Sequence, residues 1–344
     1  MHVKTKSVFA ALLALLGGIA TADAQSVQLN GVVDLFAGQR QLSGRAKLKT
    51  ADSGGMTTSR LGFEGSEDLG GGLKAQFALS GFLRADTGES GRFGAADGGW
   101  RRFAYVGLQS PTLGTLRLGR LGTPTFGVAI RFNPFADSTA LAPYLLHMYP
   151  GGQPLAAPMN APDSASDNSI GWNSPNWNGL GLSALVSAAE SSTARGPRWA
   201  AGANYGAGPF AAGLAVEQSE VTAGLPAGVS KLANVQAGVS YDLQVMKLFG
   251  QIGNTKLTIS SGTRDYATWQ LGGSVPLGGG NILLSYAASK KTEPALADVK
   301  RGTLGLGYDY FLSKRTDLYT VYLNDQVKGL ATGTTLVAGV RHRF

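Results

Sequence analysis

Charged side chains at regular positions are the residues of this sequence with chemistry to offer. Five that alternate with apolar or small residues are Arg60, Glu64, Lys74, Arg102 and Arg117. Charges at this density cannot line a dry core without a large desolvation cost, but they can line a water-filled passage. A ring of Arg and Lys around such a passage favours anions. A solvated face without selectivity is the alternative, because the net charge of +8 gives only the sign of the average field.

Residues suited to catalysis or metal binding are scarce. Beyond the first few residues the chain has two histidines, His147 and His342, and it has no cysteine. A Ser–His–Asp site needs a nucleophile beside its base, and no nucleophile motif flanks His147. No histidine pair has metal-ligand spacing, and the glycines at 70–72 precede a predicted strand, which argues against a phosphate loop. We therefore predict no catalytic residues, no metal, no cofactor and no nucleic-acid partner.

Alternation with a period of two runs through almost the whole chain. Leu73, Ala75, Phe77 and Leu79, for example, alternate with polar or small residues. This pattern places two sets of side chains on opposite faces of a strand. The 50 glycines oppose helix formation, and no apolar run of the ~18 residues needed for a spanning helix follows residue 19. Sixteen such segments lie between residues 26 and 344.

The connections between these segments are of two kinds. Short ones, such as 67–71 and 276–279, consist of turn-forming residues, whereas longer ones lie at 40–55 and 86–99. Short connections at one end and long ones at the other are typical of bacterial outer-membrane barrels, which also have an even number of strands. We predict an all-β fold: a sixteen-stranded antiparallel transmembrane β-barrel over residues 25–344. A soluble β-sandwich is the alternative.

Aromatic residues near the ends of the last strands support the membrane interpretation. These are Tyr308, Tyr310, Tyr319, Tyr322 and the terminal Phe344. Outer-membrane barrels carry aromatic girdles where their outer face meets the two membrane interfaces. We therefore expect these side chains to point outward.

The first 24 residues predict a cleaved export signal. Lys4 and Lys6 precede a short apolar run, and Ala22-Asp23-Ala24 forms a small-x-small cleavage site. The apolar run is about half the length that a spanning helix needs. We therefore assign residues 1–24 to a signal peptide and expect the mature chain in the outer membrane of a Gram-negative bacterium.

One connection is much longer than the others. It covers residues 122–166 and is rich in proline and alanine. Loops of this length without secondary structure are uncommon in compact domains and usually carry function. Its charged residues include Arg131 and Asp137, and it also contains His147. Neither the loop's conformation nor the place of His147 follows from the sequence.

Several stretches resemble general porins of the Gram-negative porin family, in the branch typical of β-proteobacteria. The most specific is SRLGFEGSEDLGGGLKA at 59–75. Others are SVQLNGVVD at 26–34, RFAYVGL at 102–108, GTLRLGR at 114–120 and the C-terminal GVRHRF at 339–344. Together they cover nearly the whole mature chain. The resemblance implies a passive, water-filled channel for small hydrophilic solutes and ions.

The resemblance also implies an assembly and a set of site residues. It implies a homotrimer, contact with outer-membrane lipid and lipopolysaccharide, and a C-terminal Phe344 that the barrel-assembly machinery recognises. It implies a third external loop, here 122–166, that folds into the lumen and sets a constriction. Arg60 and Arg102 match the family's wall arginines by motif. We add Arg117, Lys74 and Glu64 to the predicted wall side of the constriction because of the alternation. On its loop side we predict Asp137 and Arg131.

Two departures from the family pattern alter the expected field. Gly171 stands where the family often has a basic residue, and Asn133 stands where the loop usually has an acid. These changes act in opposite directions on a weak anion preference. A substrate-specific channel, for example for an organic acid, is the second interpretation, because aromatic residues of the loop could shape a binding site. A plugged barrel serving as receptor or adhesin, and a barrel enzyme, are rival classes.

Overall fold

The computed structural model describes residues 26–92, 98–149, 164–188, 197–220 and 229–344. The predicted signal peptide lies outside the described residues, as do parts of the loops. The strands are β1 (Ser26–Arg40), β2 (Leu48–Ser53), β3 (Arg60–Asp68), β4 (Lys74–Arg84), β5 (Glu89–Ser90), β6 (Phe103–Ser110), β7 (Gly114–Gly122), β8 (Ala165–Asn173), β9 (Leu180–Ser187), β10 (Arg198–Ala207), β11 (Phe210–Glu220), β12 (Val229–Asp242), β13 (Lys247–Ile259), β14 (Gly262–Leu277), β15 (Gly280–Thr292), β16 (Val299–Phe311), β17 (Thr316–Val327) and β18 (Gly333–Arg343).

The strands close into a single antiparallel barrel, as the alternation predicts. Each wall strand pairs with its neighbours in the sequence, and β1 pairs with both β3 and β18. The short β2 pairs with the second half of β1, and β5 pairs only with the end of β4. Without these two, the described residues form a wall of sixteen strands, which confirms the predicted count. The strand β2 lies within the predicted connection 40–55.

The two faces of the wall differ in the way that the alternation predicts. In β14, Trp269 and Leu271 are about half exposed on the outside, while the intervening Gln270 is buried on the inside. A closed barrel satisfies its backbone N–H and C=O groups within the wall, so an apolar outer face can contact lipid. Among the described residues, no helix has the length and apolarity to span a membrane.

The short connections are tight turns built on residues that tolerate left-handed backbone. Between β3 and β4, Gly70, Gly71 and Gly72 have φ values of 85°, 60° and 81°. Side chains other than glycine rarely adopt this conformation. The glycine run therefore serves as a turn at the end of the barrel where β1 begins and β18 ends.

Two short helices lie in the described part of the long connection after β7. Helix α1 spans Pro124–Arg131, and its N-cap Thr123 accepts a hydrogen bond from the Phe126 N–H at 3.3 Å. Helix α2 spans Pro143–Met148. Each helix begins with proline, which suits a first position because that N–H has no helical partner. Helices this short depend on packing for their stability.

Both helices pack against the inward-facing side of the wall. Helix α1 contacts β10, β11 and β12, and helix α2 contacts β14, β15 and β16. The loop side chains Phe135, Leu141 and Leu145 are fully buried in an apolar cluster. The wall contributes inward apolar residues to the same cluster, including Leu232, Leu257, Leu283, Val321, Leu323 and Val337. An apolar core inside the barrel was not expected from the sequence.

The aromatic residues near the strand ends divide between the two faces. Tyr310 and Tyr322 are exposed outside. Tyr308 has the same outward parity within β16, and its hydroxyl donates to the Leu277 carbonyl beside the next turn at 2.9 Å. The outward prediction is wrong for Tyr319, which is 3% exposed and donates a hydrogen bond to Asp34 at 2.5 Å. Its neighbours Leu318 and Thr320 take the outer face, so alternation sends Tyr319 inward.

Candidate pore constriction

An arginine of the wall faces an acid of the long connection. The Arg60 guanidinium lies 3.6 Å from the Asp137 carboxylate, and both side chains remain partly exposed, at 21% and 31%. The Thr57 hydroxyl donates to the same carboxylate at 2.9 Å, and it accepts from Arg341 at 2.9 Å. These contacts hold Asp137 opposite the basic wall.

Arg102 adds a second positive charge to this place. It precedes β6, its backbone N–H donates to the Ser80 carbonyl at 3.0 Å, and its guanidinium lies 4.3 Å from the centre of the Phe103 ring. Burial, followed by the positive charge of Arg60, lowers the pKa of Arg102 to about 10. Arg102 therefore stays protonated at neutral pH, and its charge acts on the same volume as that of Arg60.

A tight turn at Asn133 determines which acid the loop presents. The Asn133 amide donates to the Ala136 carbonyl at 2.5 Å, and its carbonyl oxygen accepts from the Phe135 N–H at 2.8 Å. Asn133 is 3% exposed, so its side chain serves the turn. The turn ends at Ala136, whose φ is 46°, and Asp137 follows it toward Arg60. The acid missing at Asn133 is thus supplied four residues later.

The remaining predicted site residues occupy different heights of the passage. Glu64 lies on the wall below Arg60, and its negative charge acts on Arg102. Lys74 is the first residue of β4 and pairs with Asp68 beside the short turn, eight residues from the position opposite Arg60. At ~3.3 Å per residue this separation is roughly 26 Å. Lys74 therefore lies at the mouth of the barrel, away from the Arg60–Asp137 pair.

Arg117 and Arg131 also stand apart from the Arg60–Asp137 pair. Arg117 pairs in register with Gly107 and Gly171, and its guanidinium lies 5.2 Å from the centre of the Tyr105 ring. Arg131 is exposed at the end of α1, 5.7 Å from the Phe132 ring. Its guanidinium reaches toward Gly206, next to a short turn. Arg131 therefore points to the same end of the barrel as Lys74.

Two inward arginines of the last strands are buried in ion pairs, which the sequence did not reveal. Arg301 binds Asp325 at 2.7 Å, and it also donates to the Leu146 carbonyl of α2 at 3.0 Å. Arg341 binds Asp317 and Asp309, each at 3.0 Å. These arginines support the wall and the loop. Alternation predicts only on which face of the wall an arginine lies. Whether its charge is exposed to water depends on the acidic residues that pair with it.

His147 is fully buried between α2 and the wall. Its Nε2 lies 2.7 Å from the Thr303 hydroxyl, which itself donates to Asp325 at 2.5 Å. The hydroxyl therefore accepts from His147, which assigns the Nε2–H tautomer from the hydrogen-bond network. Among the described residues, Nδ1 has no hydrogen-bond partner. Burial, and after it the nearby Arg301, lower the pKa of His147 well below its usual value.

Acidification should loosen the docked loop. Below about pH 6.5 the undocked His147 binds a proton that the docked one refuses, so docking loses up to about 1.4 kcal/mol per pH unit until the lowered pKa is reached. Above pH 6.5 the contribution is fully present. In single-channel recordings we expect brief changes of conductance to become more frequent between pH 7.5 and pH 5.

The matched control is His147→Gln, which separates this histidine from other groups that titrate in the same range. Its amide N–H replaces the Nε2–H donor to Thr303 but does not titrate. In this variant the frequency of conductance changes should stay the same as the pH falls from 7.5 to 5. Equal acid sensitivity in both proteins would contradict the assignment to His147.

Comparisons with known proteins show the family to which this chain belongs. The sequence model of the Gram-negative porin family matches residues 10–330. The chain belongs to that family. Outer membrane porin protein 32 of Delftia acidovorans is 32% identical over 363 residues, which cover 96% of this chain and 98% of that protein. An outer membrane porin protein of Bordetella pertussis is 28% identical and covers 99% of this chain and all of that protein.

A solved structure agrees with the porin assignment. The anion-selective porin from Comamonas acidovorans superposes with a TM-score of 0.77 at 28% identity, covering 93% of this chain and all of that one. The resemblance seen in the motifs is thereby confirmed. This porin is an outer-membrane β-barrel, and its family consists of channels and not enzymes.

Proposed function

We propose that this porin is a passive, water-filled channel with a weak preference for anions. The observation that carries the proposal is the basic wall at Arg60 and Arg102, which faces the loop acid Asp137. The helices of the long connection pack against β10–β12 and β14–β16, on the other part of the inner wall, which supports a passage beside these arginines. Positive charge that lines a narrow passage raises the local concentration of anions. The anion-selective porin from Comamonas acidovorans, at 28% identity, supports the same assignment.

Planar-bilayer recordings test this proposal. Purified porin should give stable conductance steps in KCl, and a KCl gradient should give a reversal potential with the sign of chloride preference. Absence of steps would contradict the open channel. Conductance steps with a reversal potential near zero would support the open channel but overturn the preference for anions.

The segment 122–166 is proposed as the constriction loop. Its two helices cover the inner wall, and its polar anchors are distributed along its length. The Thr125 hydroxyl donates to Glu217 at 2.5 Å, the Ser138 hydroxyl donates to the Gly55 carbonyl at 2.6 Å, and the Tyr144 hydroxyl donates to Gln236. These anchors, together with the Asp137 carboxylate 3.6 Å from Arg60, support a loop that narrows the lumen from one side.

We propose that three porin chains assemble, and that lipid and lipopolysaccharide contact the rest of the outer face. The strands from β3 to β9 have 8 to 11 residues apart from the two-residue β5, whereas β12 to β16 have 13 to 16. A low, apolar side of the wall suits burial against other copies. Chemical cross-linking of the native porin in membranes should give a trimer band.

The C-terminal Phe344 is proposed as the residue that the barrel-assembly machinery recognises. In the folded barrel its backbone exchanges two hydrogen bonds with Gly31, at 3.0 and 3.1 Å, and closes the seam between β1 and β18. Its ring stacks on His342 and is 41% exposed. The backbone bonds to Gly31 close the seam without help from the ring, which leaves recognition as a separate role for the ring.

Replacing Phe344 with alanine should reduce the amount of folded porin in the outer membrane severalfold. Refolding of the purified chain in detergent should change little, because the backbone bonds to Gly31 remain. A variant that also fails to refold in detergent would assign the ring a structural role in the seam.

A further inference from the structure

A cavity of about 300 Å³ lies inside the barrel between the wall strands β6–β10 and the start of α1. Aromatic residues, one arginine and neutral polar side chains contribute to its lining: Phe103, Tyr105, Arg117, Asn173, Ser183 and Asn204. Small-molecule sites are concave, combine apolar walls with a few polar groups and begin at roughly this volume. The cavity adjoins the constriction, because Arg102 lies over the Phe103 ring.

Arg117 differs from Arg60 and Arg120, which lie on neighbouring parts of the wall and are paired with acids. Arg60 lies 3.6 Å from Asp137, and Arg120 lies 2.7 Å from Asp167. Arg117 has no carboxylate within 4.0 Å among the described residues, and its buried Nε has no hydrogen-bond partner. A positive charge that is partly desolvated and not paired favours binding of an anion.

The surroundings of Arg117 hold the guanidinium in place and leave space beside it. Its side-chain stem packs against Gly107, where a Cβ would lie 2.9 Å from the Arg117 Cγ. Its guanidinium lies over the Tyr105 ring at 5.2 Å, within cation–π range. On the other side the register partner is Gly171, over which the Leu121 side chain lies, and both residues line the cavity. The group is thus positioned by the wall before any solute arrives.

We propose that this cavity binds small aromatic carboxylates on their way through the pore. The guanidinium of Arg117 presents two N–H groups that match a carboxylate. The rings of Phe103 and Tyr105 offer apolar surface to the flat body of the solute. The hydroxyl and amide groups of Ser183, Asn173 and Asn204 complete a polar rim. The inference rests on the proposed function, because it requires that solutes enter the lumen.

Potassium benzoate is the probe, and planar-bilayer recording in KCl is the measurement. Benzoate should reduce the chloride current of the wild-type channel with saturation, and acetate at the same concentration should do so much less. Arg117→Gln should raise the half-blocking benzoate concentration at least about tenfold, because it removes a charge-assisted hydrogen bond. Tyr105→Leu should weaken the benzoate block and leave the small acetate effect as it was.

Two further variants make the result specific. Lys74→Gln removes one positive charge at the mouth of the same barrel and should change the half-blocking concentration by less than about twofold, because screening at ordinary salt acts within ~10 Å. Ser183→Leu fills the cavity without removing a charge and should also weaken the benzoate block. It provides the test if Arg117→Gln does not fold.

The outcomes separate this inference from the proposed function. A wild-type protein without conductance steps in KCl would contradict the open channel. Steps without a saturable benzoate block, or a block that Arg117→Gln and Ser183→Leu leave intact, would overturn the binding site while the channel stands.

Discussion

Exchanging Arg60 and Arg102 for glutamate should change the pore's preference from anions to cations. The two arginines supply the positive charge at the proposed constriction, and the acids Asp137 and Glu64 lie close enough to act on them. Each single replacement should lower the anion preference, and the double replacement, a change of four charges, should reverse the sign of the reversal potential in a KCl gradient. The physical reason is that a ring of charged side chains attracts ions of the opposite sign into the pore.

Salt and position provide the controls for this charge reversal. The effect should be larger at 0.1 M than at 1 M KCl, because the screening length falls from about 10 Å to about 3 Å. Lys74→Glu makes the same kind of replacement at the mouth of the barrel and should shift the reversal potential much less. An unchanged reversal potential in the double variant would refute the placement of both arginines at the constriction.

Removing the carboxylate of Asp325 should destabilise the folded barrel by about 3–5 kcal/mol, the usual cost of leaving a buried charge without its partner. Arg301 and Asp325 are only 6% and 1% exposed, and they lie 2.7 Å apart. Asp325 also accepts hydrogen bonds from Thr303 and from the Ser43 N–H. Asp325→Ala leaves all three donors without this acceptor. Denaturant unfolding in detergent micelles, followed by the loss of β-structure, measures the change.

An exposed ion pair offers the matched comparison. Lys290 and Asp298 lie 2.7 Å apart but are 48% and 44% exposed, so Asp298→Ala should cost less than about 1 kcal/mol. The double variant Arg301→Met, Asp325→Leu removes both buried charges and should recover much of the stability lost in Asp325→Ala. Equal losses in the free energy of unfolding for Asp325→Ala and Asp298→Ala would show that burial of the ion pair does not increase its contribution to stability.

The wall of this porin could be predicted because its pattern is local. Alternation along a strand depends on one chain segment, so Leu271 and Gln270 reveal their faces without any knowledge of neighbours. The strand β2 was hidden because its residues, such as Lys49 and Asp52, are polar and pair only with an extension of β1. Tyr319 was assigned outward because its residue type, and not its position in the alternation, guided the prediction.

The interior could be predicted only in part, because it depends on contacts between distant segments. The wall arginines Arg60 and Arg102 followed from a family motif, and Asp137 from its place in the loop. The burial of Arg301 and His147 depends on Asp325 and Thr303, which lie far away in the sequence. Helices α1 and α2 are too short to be predicted from periodicity, and their stability comes from packing against the inner wall.

The apolar cluster inside the barrel has a consequence for the engineering of wider nanopores from this protein. Deleting the loop segment would uncover a stripe of leucine and valine side chains, among them Leu232, Leu257 and Val337, on the surface of the passage. Exposing apolar surface to water costs about 25 cal/mol per Å². A pore enlarged in this way would therefore lose stability, unless the stripe were replaced by hydrophilic residues at the same time.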